Sequence, residues 1–382
     1  MNIKRLETSR LFHRFGFGPR PGEYAQALKD GVPTTRTRLT TVPVTLTTST
    51  PVALPAITDL GKRPKDKTPE SVPFALAMRS QTQQMGLWWL DMMALSDHGL
   101  TERMVWFWHG HWATSIQKLN YALPMYKQNQ LFRTHALGNF NSMTKAMLND
   151  GALQFWLDGQ DNTAKAPNEN LGRELMELFV LGVNRYSEDD VKAISRVLTG
   201  YQVEKSSGVV TINQNRRDTN PVTLLGKTGS FTGDSLTDFL VARDDCATFI
   251  SERLWYRFIS STETMPTSFS AKKGFATRDI ATTIQAMAAD PSMSDEKYAM
   301  VKSPVEWFIS ACRALELTPS ALKTTGQLNN HLDKLGQVPF NPPNVGGWPA
   351  GEAWLSSATA QYRLAFAAWL IKQSDLSALQ QI

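Results

Sequence analysis

Cysteine is scarce: the 382 residues contain two, Cys246 and Cys312. Two thiols exclude both a disulfide framework and a thiolate zinc site. Both stand in apolar helical contexts, DDCATFI and FISACRAL, and read as buried free thiols. No run approaches the ~20 apolar residues of a membrane span. The first residues, MNIKRLETSRLFHRFG, lack an apolar signal core and a cleavage site, so the chain as written is expected in the cytoplasm. Charge of one sign is also in short supply, with 40 Lys and Arg against 35 Asp and Glu and a formal net charge of +5. The densest basic stretch, KRPKDK from Lys62, reads as a solvated linker, so no nucleic-acid or membrane footprint is expected. The GxSxG elbow, HExxH pair, Walker loop and cysteine-nucleophile motifs are absent. The glycines of GFGPRPG, from Gly16, precede a proline and follow no strand, so they read as a tight turn feeding a helix at 22–30.

What the chain does contain is tryptophan, 11 in all, and helical periodicity. Seven tryptophans fall at 88–112 and 340–355. The fold class is mostly α: a single multi-helix domain over 1–382. Beyond the first two helices, at 8–15 and 22–30, the periodicity predicts helices near 70–95, 100–108, 121–136, 139–148, 151–157, 234–259, 275–289, 297–315, 319–334 and 357–372. Two stretches break the pattern. Residues 32–58 are rich in Thr, Val and Pro and are expected as an extended surface segment running into a polar linker that ends at 70. Residues 203–231 are expected as a small β-rich insertion, with VVTI from Val209 as its best strand.

The chain is organised around residues 168–200, two helices joined by a short turn. Asn168 is placed to cap the first, and Ser187 with Asp190 to form a capping box on the second. Glu169, Arg173 and Glu177, each four apart, suit an ion-pair ladder on the polar face. Glu174 falls at the margin of the apolar stripe beside Leu171 and Leu178. A carboxylate there must find a cation, a metal or several donors, or take up a proton. A buried Glu–Arg pair is one outcome and a metal ligand or general base the other, which makes Glu174 the leading functional candidate.

His109 and His111 form an HGH triplet. Two positions apart on a helix lie ~200° from each other, so the imidazoles converge only if the helix ends at Gly110. Otherwise they are buried histidines satisfying backbone groups. Asp158 and Asp161 read as a hydrophilic loop, His135 as a structural histidine that could also face the same centre, and His13, beside the glycine turn, as one that could be purely structural. The loop PPNVGGWPAGEAWLS, from Pro342, serves equally as a ligand rim or as a plug of the core. Asn344 and Trp348, with Asn168, form the candidate substrate-binding set.

Several blocks in order resemble the bacterial domain-of-unknown-function family 1800. They are FHRFGFGPRP from Phe12, LTERMVWFWHGHWATS from Leu100, NENLGRELMELFVLGVNRYSEDDV from Asn168 and RVLTGY from Arg196. LGKTGSF from Leu225, ATFISERLWYRFIS from Ala247, KSPVEWFISACRAL from Lys302 and the loop from Pro342 complete the series, which spans nearly the whole chain. The resemblance implies a mostly helical domain and no particular reaction. It implies that relatives carry export signals. It also implies a protein partner, because genes of the family are often found beside those of a second uncharacterised family resembling sulfatases and phosphatases. Where relatives carry a His-Asp pair and then a Lys before the final glycine of RRDTNPVTLLG, this chain has Arg217 and Val222. It keeps Asp218; if the missing His and Lys serve the site in relatives, their replacement implies lost activity or a changed ligand set.

Two functions follow as expectations. One is a metal-dependent hydrolase or transferase, with a divalent zinc, iron or manganese ion held by His109, His111 and Glu174. Glu174 and Asp218 would be catalytic, and the metal a Lewis acid or activator of water. The other is a non-catalytic helical binding or assembly protein that works with the sulfatase- or phosphatase-like partner.

Overall fold

In the computed structural model, which describes residues 2–42, 52–323 and 325–375, helices carry most of the chain. Strands among the described residues are confined to two antiparallel hairpins. Two helices form the centre. In Ser71–Leu95 the C-terminal half is buried on every side, with Met85, Trp88, Trp89, Leu90, Met92 and Met93 enclosed. In Gly99–His111, eleven of thirteen residues are buried. A helix apolar all round belongs in the middle of a core, and one continuous hydrophobic cluster runs from Leu11 to Leu370 around this pair. The charge these helices carry inward is compensated. Glu102 accepts from both sides of the Arg133 fork, at 2.6 and 2.8 Å, and from Trp89 Nε1 at 3.2 Å.

The 168–200 stretch forms the expected pair of helices, with one difference. Asn170–Glu174 is α-helical, but Leu175–Val180 is a π-helix. The Leu181 amide donates to the Met176 carbonyl, five residues back, at 2.8 Å. Asn168 acts at the entry, its Oδ1 accepting from the Asn170 amide at 3.0 Å. The box expected at Ser187 is present in both directions: the Asp190 amide donates to Ser187 Oγ, and the Ser187 amide donates to Asp190 Oδ2.

The β-rich insertion is there as two hairpins. Tyr201–Glu204 pairs with Val209–Ile212, and Val222–Leu224 pairs with Lys227–Gly229. The extended segment expected at 32–58 needs correction at its start, because Val32–Thr40 is a helix. Pro33 occupies its first turn, and Val32, Thr35 and Thr40 are buried. Thr35 and Thr40 send their hydroxyls to the carbonyls of Ala27 and Arg36. Tertiary packing and these local bonds outweigh the β preference of Thr and Val. Residues 43–51 of that expectation lie outside the described residues, and 52–58 carry neither helix nor strand. The single helix expected at 234–259 is two, Gly233–Ala242 and Asp244–Phe258, separated at Arg243. Among the described residues no helix is long and apolar enough to cross a membrane.

The proline- and glycine-containing loop from Pro342 lies directly on the central helix. A Cβ on Gly347 would collide with the Gly110 carbonyl oxygen, and Gly347 holds φ +80°. Gly110 is therefore part of a close backbone approach and does not end the helix, which runs through His111.

Candidate functional site

Continuity of that helix decides the fate of the two histidines. His109 faces Trp89, Phe340 and Trp348, with ring centroids 5.1, 5.4 and 5.5 Å away. Its Nε2 is buried without a partner, and burial pushes its pKa down to about 3. His111 points elsewhere, toward Phe179 of the π-helix and Phe249. Its Nε2 donates to the Phe179 carbonyl at 2.9 Å, which leaves Nδ1 as a bare acceptor. Nδ1 is buried and has no partner. Burial first, then Arg253, lowers this imidazole to about 3 as well. Glu174 is half-buried, its pKa raised by burial and by Glu177. Among the described residues no three His, Cys, Asp or Glu side chains stand close enough to hold a metal. The structure therefore does not assemble His109, His111 and Glu174 into one donor set.

It does bring His111 to a cavity of about 300 Å³ at the end of the π-helix. Glu177, Gly182 and Arg185 come to it from one signature stretch, Phe249, Arg253 and the exposed Glu252 from another, and Val345 and Gly346 from the loop. Four separate motifs thus meet at one place, HGH included. Glu177 reaches it because the chain is π-helical there. The angular step per residue differs from the ~100° of an α-helix, so a ladder drawn at i,i+4 fails across 175–180. Arg173 keeps the expected rung to Glu169, at 3.0 Å, and takes Glu188, at 2.7 Å, in place of Glu177. Glu177 accepts from the Tyr186 hydroxyl. Arg185 is matched by Asp245 at 2.8 Å.

Arg253 is not matched. Burial lowers its pKa, and among the described residues no carboxylate pairs with it and its Nε has no partner. Four residues on, Arg257 donates to the carbonyls of Trp348 (2.5 Å) and Pro349 (3.1 Å) and is lowered to about 10 by burial and by Arg253. The cationic seam continues to Arg103, which is ion-paired with Glu306 and donates to the Arg257 carbonyl at 3.3 Å.

The other expected site residues are committed to the fold. Asp218 accepts from Arg196 Nε at 2.7 Å and from both nitrogens of Asn220, and these bonds, the Arg196 one foremost, lower its pKa. Arg217 packs its Cβ against Gly200, and Val222 is buried in its strand. Asn344 Oδ1 accepts from the Gly346 amide at 2.9 Å. Trp348 stacks on Trp106 at 5.1 Å. A larger groove of about 610 Å³ runs along one face of Ser71–Leu95, its polar lining made of Arg63, Asp66, Arg79 and several amides and hydroxyls without a histidine, and none of the signature blocks reaches it.

Sequence reading passed over Arg253. The usable signal was local: no acid stands three or four residues from it, so no helical ion pair is available.

A mostly helical scaffold whose motif stretches close around one polar cavity defines the class. A family model described as Protein of unknown function (DUF1800) matches residues 10–381. The chain belongs to that family. No curated protein and no solved structure matches it.

Proposed function

We propose that this protein recognises a phosphate monoester in the His111–Arg253 cavity and is an enzyme of the hydrolase or transferase type. The observation that carries the reading is Arg253, a partly buried guanidinium with no carboxylate partner beside an imidazole nitrogen with no donor. An oxyanion satisfies the first through charge-assisted hydrogen bonds. A P–O–H group, present in the singly protonated monoester, satisfies the second. Glu177, a further acceptor in the lining, favours a ligand that keeps a proton.

Neutralising Arg253 removes a cause of His111's low pKa, so binding is accompanied by proton uptake and strengthens as pH falls. His111 and Glu177 are then the proton carriers available to hydrolysis or transfer. A second reading rests on the free Nδ1 of His111: a zinc, iron or manganese ion held by His111 and Glu177, with ligand oxygens completing its shell.

Calorimetric titration with phosphate, phenyl phosphate and sulfate tests the proposal, beside elemental analysis of untagged protein. Phosphate should bind more tightly than sulfate, which lacks the proton at neutral pH. Arg253→Met should weaken it about tenfold or more. Equal affinity for the two anions, or unchanged affinity in the variant, removes the reading. Stoichiometric metal that disappears in His111→Ala transfers it to the metal-assisted form.

A further inference from the structure

The cationic seam ends in a second cavity, of about 270 Å³, with a different character. Its polar side comprises Ser9, Arg10, His13, Arg14, Arg103, Lys302 and Glu306, and with the exposed Glu296 the lining sets four cations against two carboxylates. The three arginines are turned toward protein acceptors. Arg10 reaches the carbonyls of Met293 (2.9 Å), Asp295 (2.7 Å) and Tyr298 (3.1 Å), Arg14 also reaches Tyr298, and Arg103 holds Glu306 and the Arg14 carbonyl. They supply positive potential to the cavity.

Lys302 is the exception. Its ammonium has one protein acceptor, Ser310 Oγ at 3.2 Å, and Glu306 is already engaged by Arg103 and by the Ser303 amide. His13 Nδ1 is buried beside it without a partner. Leu6, Ala299, Met300 and Val301 supply the apolar part of the lining. Guanidinium field, one free ammonium and an aliphatic wall together suit an anion at the head of a short hydrocarbon body.

We propose that this cavity binds a small aliphatic carboxylate, its head group on Lys302 and its chain against Leu6, Met300 and Val301. The site is separate from the His111–Arg253 cavity and shares none of its lining. An anion there would also relieve the two bases. Burial followed by Lys302 and Arg103 holds His13 down to about 4, and burial lowers Lys302 as well.

The test is calorimetric titration of the full chain with hexanoate, hexanol and phosphate. Hexanoate should bind, hexanol should bind at least about tenfold more weakly, and phosphate should not displace hexanoate from this site. Lys302→Met should lose hexanoate by about tenfold or more, while Arg253→Met, altered only at the first cavity, should retain it. No hexanoate binding, equal binding of hexanol, or undiminished binding in Lys302→Met overturns the proposal. Loss in Arg253→Met would place the carboxylate in the first cavity and overturn it too. Should Lys302→Met fail to fold, the comparison of hexanoate with hexanol on the unaltered protein decides alone.

Discussion

Among single residues, Asp150 shows how a buried group reports on pH. It caps the Gly151–Trp156 helix, its Oδ1 accepting from the Leu153 amide at 2.8 Å and from Gln128 Nε2 at 2.7 Å. Burial pushes its pKa from 3.8 up to about 7. Between those values the native state holds a proton that the unfolded chain has lost. Stability therefore falls as pH rises through this window, and the protonated cap is fully effective only below it. Asp150→Asn keeps an acceptor at the cap and cannot ionise. Urea unfolding at pH 5 and pH 8 should show a smaller loss for the variant. At pH 8 the variant should be the more stable by on the order of a few kcal/mol. An equal loss in both proteins would mean that Asp150 is already ionised in the fold. The same logic separates the two histidines from each other. Both are neutral because they are buried, but His111 lines a cavity from which a ligand could change that.

Among elements, the contact between the loop from Pro342 and the Gly99–His111 helix has the least tolerance. Gly347→Ala would place a methyl group into the Gly110 carbonyl and strain a residue at φ +80°. The expected outcome is a loss of about 1–3 kcal/mol in thermal or urea unfolding. Weaker phosphate binding should accompany it, because Val345 and Gly346 line the cavity. An unchanged melting temperature would show that the loop can lift off the helix. Gly110 also marks the limit of sequence reading. Glycine permits a helix end, and the HGH triplet needed one to gather its imidazoles, yet packing keeps the helix going and sends the rings apart. Where cap, period and packing agree, the elements were readable: the Ser187–Asp190 box, the long Ser71–Leu95 helix and the strand at Val209 all stand where periodicity and residue type put them. Val32–Thr40 was not readable, because its helix depends on partners distant in sequence. The π-helix was not readable either, since an i→i+5 ladder leaves no period of its own in six residues. That widened turn is why Glu177, assigned to an ion-pair ladder, belongs to the cavity, and why part of the candidate site was hidden.

At the scale of the whole molecule, arginine works as a cross-link between distant backbone segments. Arg10 and Arg14 tie the Ile3–Arg14 helix to carbonyls at 293–298. Arg313 joins the Gly18 carbonyl (2.7 Å) to that of Ala94 (3.0 Å). Arg278 collects the carbonyls of Val241, Ala242 and Arg243. A guanidinium suits this role because its five donors diverge in a fixed plane. Carbonyl oxygens satisfy those donors without cancelling the charge, so the second cavity, with Arg10, Arg14, Arg103 and Lys302 against Glu296 and Glu306, keeps a positive excess. The links also bear on cooperativity. Residues near each end of the chain share one hydrophobic cluster, and Arg10 by itself fastens the first helix to the distant carbonyls of Ser292, Met293, Asp295 and Tyr298. Unfolding should therefore be a single transition, with tryptophan fluorescence, which reports mainly on 88–112 and 348–354, coinciding with far-ultraviolet circular dichroism. Arg10→Ala leaves buried carbonyls without donors and should lower stability by on the order of 3 kcal/mol. It should shift both signals together, although no tryptophan lies in the first helix. If circular dichroism moved and fluorescence did not, the first helix would be an independently melting unit, and the arginine links would hold it in place without coupling it to the core.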